Sequence, residues 1–309
     1  MKKAFLGIDT SNYRTSVSVV DENGNILYNH RELLDVPEGK RGLRQSEAFF
    51  QHVQRLPEVI GEAMEFRHVI SAIGVSSTPR PREGSYMPCF TAGLACAKEL
   101  ASALNVPSYE TSHQEGHVKA VKFYSEMRDE ADIIFYHFSG GTTEALYGDS
   151  IVGGTKDISY GQVLDRIGVK LGYHFPAGEY LDKIAMETLS GSDVLTPVKV
   201  KDGWLNLSGI ETQAMRAIED GLAPENELIR EVMDKLCDSI ILMTKQLSAK
   251  YNTNDFIFAG GVSSSAFMRQ RIKAELPKNM RYVFGTAELS GDNAVGVALI
   301  AEERSLNAK

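Results

Sequence analysis

The segment Ser112-His113-Gln114-Glu115-Gly116-His117 carries two histidines four residues apart. On a helix that interval puts both imidazoles on one face, about one turn from each other. Two imidazoles so placed bind one metal ion, as in the H-E-x-x-H class. Here Gln114-Glu115-Gly116 intervenes, so that motif is not matched, and Glu115 stands one place late for the general base of a zinc protease. Histidines at this interval also occur on helix surfaces without any ligand. Two residues downstream favour a metal: His137, ahead of the turn Ser139-Gly140-Gly141, and Asp292, in the turn Gly291-Asp292-Asn293.

These residues must be held by a soluble, two-lobed scaffold. The chain has 309 residues, 43% hydrophobic and 24% charged, which is ordinary for a globular protein and long enough for two lobes. No apolar run is long enough to span a membrane. The opening run from Met1 stops at Asp9, too early for a signal peptide, and is predicted as a first strand. Cys89, Cys96 and Cys237 are few, odd in number and not in a paired metal spacing, which points to reduced thiols and a cytoplasmic protein. The net charge of −8 gives no bulk support to a nucleic-acid partner, which would need a local basic patch.

The pattern predicts a meander first: a strand from Ala4 to Ser11, a second from Thr15 to Val20, and a third beginning at Ile26 after the Asn23-Gly24 turn. Phe49, Val53, Leu56, Ile60 and Met64 recur at helical spacing over 45–64. Phe49, Phe50, Val53 and Leu56 on that helix read either as core or as a partner surface. A strand over 68–75, a helix over 90–104, a strand over 106–109 and the His113 helix follow. A second set opens with a strand over 132–138, then strands over 143–147 and 151–158 around Gly148-Asp149. A strand-turn-helix unit at Phe256 to Ser264 and a last helix over about 292–304 complete it.

Both halves open with a strand, a small polar turn and a hairpin, then become helical. That doubling suggests an α/β fold of two related lobes with a cleft between them, like the actin, hexokinase and heat-shock-chaperone (ASKHA) ATPases. The expected lobes are 1–110 and 111–291, with the helix from about 292 to 309 returning to the first. In such folds the backbone N–H groups of tight turns bind phosphate without basic side chains.

With these residues placed, the chain resembles the TsaD family of tRNA N6-adenosine threonylcarbamoyltransferases, formerly called O-sialoglycoprotein endopeptidases. Gly7-Ile8-Asp9-Thr10-Ser11 resembles the family's G-I-E-T-S opening, and Ala92 to Ala101 its G-L-x-x-A-K-x-L-A helix. His113 and His117 fall on its H-x-x-x-H, and Ser139 to Thr143 on its S-G-G-x-T. Asp157 to Arg166 resembles D-x-x-x-G-[EN]-x-x-D, and Pro176-Ala177-Gly178 resembles P-G-G. Leu207 to Thr212 resembles F-S-G-L-K-T, Gly260-Gly261-Val262 matches G-G-V, and Gly291 to Ala294 resembles T-D-N-A.

The resemblance implies that His113, His117 and Asp292 bind a divalent metal, iron or zinc, with His137 as a further ligand where archaeal-type members carry an aromatic one. A hydrogen-bonded histidine at a strand end is the other reading of His137. It also implies nucleotide contacts at Ser139, Gly140, Gly141, Asp165, Gly178, Asp182, Gly260, Gly261 and Ser265. The plainer readings are solvated helix carboxylates for Asp165 and Asp182, and turns needing positive φ for the glycine pairs. His113, His117 and Ser139 are the implied catalytic residues. The implied donor is threonylcarbamoyl-adenylate, with ATP or AMP as the nucleotide type, and the implied acceptor a tRNA adenosine. The implied partners are a TsaB-like protein and a small ATPase, with no membrane.

Several positions depart from the family. The Gly-Pro-Gly-rich loop is replaced by Ser76 to Cys89, bearing Arg80 and Arg82. Thr142 stands for His or Asn, Gln162 for Glu, Glu211 for Lys, and Ser265 for the asparagine that contacts the base. Because these cluster on the implied acceptor side, three functions follow. One is a retained transferase. A second is a divergent metal- and nucleotide-binding protein that uses another acceptor or serves a complex. A metalloprotease is disfavoured by the absence of H-E-x-x-H.

Overall fold

The apolar run after Lys3 forms β1 (Ala4–Asp9), all six residues of it buried. The computed structural model describes residues 3–11, 13–37, 42–148 and 150–308; Met1 and Lys2 of the opening run, and Asp149 of the Gly148-Asp149 turn, lie outside the described residues. β1 pairs antiparallel with β2 (Arg14–Asp21), which pairs antiparallel with β3 (Ile26–Leu33), giving the expected meander. β4 (Ile70–Thr78) lies parallel to β1 and β5 (Ser108–Ser112) parallel to β4. The sheet order is β3-β2-β1-β4-β5.

The chain forms two units. The first comprises Met1–Val36, Gly42–Ser125 and Gly291–Lys309. Its helices are α1 (Gln45–Ala63), α2 (Phe90–Leu104) and α3 (His113–Phe123). Thus α3, expected to open the second lobe, belongs to the first unit, where it packs on the C-terminal helix. The core gathers Leu6, Ile8, Val17, Val19 and Val75 of the sheet with Leu56 and Ile60 of α1. The buried face of α1 is Ala48, His52, Leu56, Val59, Ile60 and Ala63, not the Phe49-Val53 line; Phe49, Phe50 and Val53 are exposed. Small residues and His52, whose Nδ1 lies 2.8 Å from Thr15 Oγ1 on β2, meet the sheet instead.

The second unit comprises Pro37–Arg41 and Glu126–Ser290. β6 (Ile133–Phe138), β7 (Thr143–Tyr147) and β8 (Ser150–Thr155) form its meander. α4 (Tyr160–Lys170) and α5 (Gly178–Glu187) follow. A short pair that the sequence pattern did not suggest, β9 (Val200–Lys201) and β10 (Trp204–Leu205), extends the sheet beyond β8. Next come α6 (Ser208–Glu219), α7 (Glu225–Tyr251), β11 (Asp255–Ala259), α8 (Ala266–Glu275), β12 (Arg281–Phe284) and α9 (Ala287–Ser290). The sheet order is β12-β11-β6-β7-β8-β10-β9, with β6, β11 and β12 parallel. The run β8-β7-β6-β11-β12 repeats the order of the first sheet, so the doubling read in the sequence is a doubling of topology. Tyr136, Phe138, Phe256 and Phe258 fill the space between this sheet and α4 and α7.

The chain closes with α10 (Val295–Asn307), which returns to the first unit. No helix among the described residues is long and apolar enough to cross a membrane.

Candidate functional site

His113 and His117 occupy the first and fifth positions of α3, one turn apart. Ser112 caps this helix: its Oγ accepts the Glu115 amide while the Glu115 carboxylate accepts the Ser112 amide. Glu115 also accepts from Thr111 Oγ1. This carboxylate therefore closes a capping box and is not placed as a protease base. His113 Nε2 and His117 Nε2 are 3.0 Å apart. Asp292 Oδ1 lies 3.4 Å from the first and 3.5 Å from the second.

Three glycines allow this convergence. A Cβ on Gly296 of α10 would lie 1.8 Å from the Gly116 carbonyl oxygen of α3, and a Cβ on Gly7 of β1 would lie 2.3 Å from the Ala294 carbonyl oxygen. A Cβ on Gly116 would lie 3.0 Å from the Val297 side-chain methyl Cγ2. With side chains absent, α3, α10 and β1 meet backbone to backbone. Asp292 is held in the turn before α10, where Asn293 donates to the Gly291 carbonyl and accepts the Val295 amide.

The donor set fits a metal ion. Ligand atoms about 2.0–2.1 Å from one tetrahedral ion stand roughly 3.3 Å from each other, and these three atoms form a triangle of that size. The charges fit as well. Asp9, fully buried at the end of β1, has Oδ2 2.8 Å from His113 Nδ1. Burial opposes charge on His113, but Asp9 and Asp292 outweigh it and raise His113 to about 10. Burial and the adjacent His113 cation push His117 down, so it is neutral. Burial would raise both carboxyls; instead the imidazoles hold Asp292 well below its ordinary value, and His113 with Ser11 and Ser76 lowers Asp9. Without metal, one proton on His113 thus faces two carboxylates. A divalent cation among neutral imidazoles balances that charge fully.

The implied nucleotide residues all lie in the second unit. The turn Ser139–Thr142 joins β6 to β7; the Ser139 amide donates to the Thr142 carbonyl and the Thr142 amide to Ser139 Oγ. The N-terminus of α4 abuts this turn, since a Cβ on Gly161 would lie 2.5 Å from Gly140 Cα. Ser159 caps α4 and donates to the Gly140 carbonyl. Gln162 completes that capping box, as a glutamate would, so this departure preserves the local structure.

The glycines separate into two kinds. Gly260, at the end of β11, has φ +90° and a Cβ there would lie 2.3 Å from the Phe138 carbonyl oxygen. Turn geometry requires it. Gly140, Gly178 and Gly261 are not in the left-handed region, and a Cβ on any of them would meet nothing within 4 Å. The fold leaves open space at those three positions, the condition for a ligand to approach the backbone.

Asp165 accepts the Ala177 amide at 2.8 Å, and burial pushes its carboxyl up to about 6 although the Ala177 and Gly178 amides favour the ionised form. Asp182 accepts from the amides of Ala266 and Phe267 and from Ser265 Oγ, capping α8. Ser265 Oγ in turn accepts the Met268 amide. Both are therefore structural caps, a use their sequence positions did not reveal. Ser265 also borders an apolar pocket lined by Tyr160, Leu164, Met233, Ile240 and Val262. Glu211 is not an isolated negative charge: Arg166 donates to both its oxygens at 3.1 and 3.2 Å. His137 is the penultimate residue of β6, in register with Glu144 and Ala259. The residue that sequence reasoning left without a role is Asp9; an acid closing a fully buried strand was the available signal.

A family model for tRNA N6-adenosine threonylcarbamoyltransferase, TsaD, matches residues 33–299. A probable bifunctional tRNA threonylcarbamoyladenosine biosynthesis protein of Methanothermobacter thermautotrophicus is 26% identical over 304 residues, covering 96% of this chain and 55% of the relative. A tRNA N6-adenosine threonylcarbamoyltransferase of Bacillus thuringiensis is 25% identical over 313 residues, covering 95% and 89%. The chain spans about half the length of the bifunctional relatives. Among solved structures, the activator of the 2-hydroxyisocaproyl-CoA dehydratase from Clostridium difficile, with bound ADPNP, superposes with a TM-score of 0.61 at 13% identity, covering 100% of this chain and 97% of that one. That likeness shows the ASKHA fold expected from the doubled pattern. With the family model matching most of its length, the chain belongs to the TsaD family.

Proposed function

We propose that this chain transfers a threonylcarbamoyl group from threonylcarbamoyl-adenylate to an adenosine of tRNA, using a divalent metal held by His113, His117 and Asp292. The observation that carries this reading is the convergence of three donor atoms within 3.5 Å of one another. Two imidazoles and a carboxylate suit zinc or iron, and the resemblance adds His137 as a further ligand. The ion, when bound, supplies Lewis acidity toward the carbamoyl carbonyl.

The chain's own residues supply the rest. The Ser139-Gly140-Gly141 amides hold the donor phosphate, as the open space at Gly140 supports. Asp165 accepts from a ribose hydroxyl, and the base lies on the Ser265 side of the same unit. The adenosine amine attacks the carbamoyl carbon, the bond from that carbon to the phosphate oxygen breaks, AMP leaves with the electron pair, and the amine proton passes to solvent. The pairing of Arg166 with Glu211 removes the unfavourable charge that a free glutamate would present to tRNA. The exposed Phe49, Phe50 and Val53 of α1 suit a TsaB-like partner, with a small ATPase completing the assembly. Cys89, Cys96 and Cys237 form no disulfide, which accords with a cytoplasmic setting.

One observation favours a second reading. Ser265, at the family's base-contacting position, spends its hydroxyl on capping α8. Together with Thr142 this supports a paralogue acting on another amine. A reconstituted assay separates the two. Protein, threonylcarbamoyl-adenylate, unmodified tRNA and the partners are combined, and digested tRNA is scanned by mass spectrometry for threonylcarbamoyladenosine. Product that disappears in His113→Ala and His117→Ala supports the transferase. Product undiminished in both variants overturns it. No product from a protein that binds metal and nucleotide favours the second reading, a divergent paralogue that uses another acceptor or serves a complex.

A further inference from the structure

Asp9 is fully buried, and each contact of its carboxylate is defined. Oδ1 accepts the Ser11 amide at 2.8 Å. Oδ2 accepts Ser76 Oγ at 2.6 Å and faces His113 Nδ1 at 2.8 Å. A carboxylate is an acceptor only, so His113 Nδ1 must carry the proton. The opposite nitrogen of the same ring, Nε2, is the atom that meets His117 and Asp292. Phe90, edge-on to the ring with centroids 6.3 Å apart, limits its rotation. The β1 end that carries Asp9 is itself anchored, because Thr10 Oγ1 donates to the Cys89 carbonyl and accepts the Gly93 amide of α2.

We propose that Asp9 is the positioning residue of the metal site: by holding the proton of His113 on Nδ1, it leaves Nε2 as a lone pair aimed at the ion. The inference rests on the metal reading above. Carboxylate-to-histidine contacts of this kind fix ring orientation and tautomer, and their loss weakens metal binding by about 10- to 100-fold.

The substitution Asp9→Asn gives a specific signature. Ser11 N–H needs an acceptor at Oδ1, so the amide nitrogen of Asn falls at Oδ2, opposite His113 Nδ1. That arrangement favours a proton on His113 Nε2, the nitrogen needed for the metal. Asp9→Ala removes the hydrogen bond without imposing the wrong tautomer. Asp9→Asn, although closer in size, is therefore expected to weaken binding more than Asp9→Ala. Ser76→Ala removes a hydrogen bond from the same carboxylate and keeps the His113 contact, so it is expected to stay within about threefold of the parent protein.

The test is titration of the full chain with cobalt(II), following the ligand-field spectrum, with chelator competition for affinity. Thermal unfolding of each metal-free variant verifies that it is folded. Losses of about 10- to 100-fold, larger in Asp9→Asn than in Asp9→Ala, establish the role. Affinities of both variants within threefold of the parent overturn it. A loss in Asp9→Ala equal to or greater than that in Asp9→Asn also overturns it, since packing alone then explains the effect. Failure of the metal reading itself looks different: the parent protein would then bind cobalt no better than His113→Ala does.

Discussion

Gly296 crosses Gly116 so closely that a Cβ on Gly296 would sit 1.8 Å from the Gly116 carbonyl oxygen. This contact joins α10 to α3 and brings the Asp292 turn to His113 and His117. Gly296→Ala is expected to force the helices apart, destabilising the protein by about 1–3 kcal/mol, toward the upper end because the obstructing atom is backbone and cannot rotate away. Divalent-metal stoichiometry should fall with it. Denaturant unfolding and metal analysis check both, and parent-like values in both would show that the crossing is not tight.

Metal-free protein should be most stable in mildly acidic solution. His113 is raised to about 10 from an ordinary value of 6.5, so its contribution is complete below 6.5 and is lost as pH climbs toward 10. Asp9 and Asp292 are lowered from 3.8, so theirs is present above that value and is lost as pH falls below it. Burial also lowers His117 and His52 from 6.5, so keeping them neutral costs stability as pH falls below that value. Unfolding midpoints in chelator should therefore peak at about pH 6.5 and decline on the alkaline side. Saturating zinc should remove the alkaline decline, because metal replaces the proton. The same alkaline decline with and without zinc would contradict this.

Asp165 and Asp182 should separate by pH and by stability. Asp165 is raised from 3.8 to about 6 by burial, so it is neutral in mildly acidic solution and ionises as pH rises through 6. If a ribose hydroxyl donates to it, ADP affinity should increase over that interval, and Asp165→Asn should flatten the profile. Asp182 caps α8, so Asp182→Ala should lower stability by about 1–2 kcal/mol. Calorimetric titration of ADP at several pH values, with unfolding curves, distinguishes them. A flat ADP profile in the parent protein would remove Asp165 from the nucleotide site.

Much of this was legible in the sequence because the signals are local. Strand runs bounded by polar turns gave the two meanders, and Phe90–Leu104 was located to the residue. The His113–His117 interval gave one helix face, and Asp292 stood in a polar turn. The lobe boundary was misplaced because α3 is held by a glycine contact with α10, far along the chain, that leaves no periodic trace. The α1 stripe was set one position off because Ala48, His52 and Ala63 face the sheet, and small or polar residues do not register as an apolar face. Asp9, Arg166 paired with Glu211, and the double use of Asp182 and Ser265 are tertiary pairings between distant segments. The charge reversal at Glu211 looked adverse only because its partner was unseen.

Anomalous diffraction from crystals grown with zinc and ADP tests the central claim most directly. One peak is expected, bonded to His113 Nε2, His117 Nε2 and Asp292 Oδ1 at about 2.0–2.1 Å, with Asp9 still on His113 Nδ1. No peak at that triad, in crystals that hold zinc elsewhere, would contradict it.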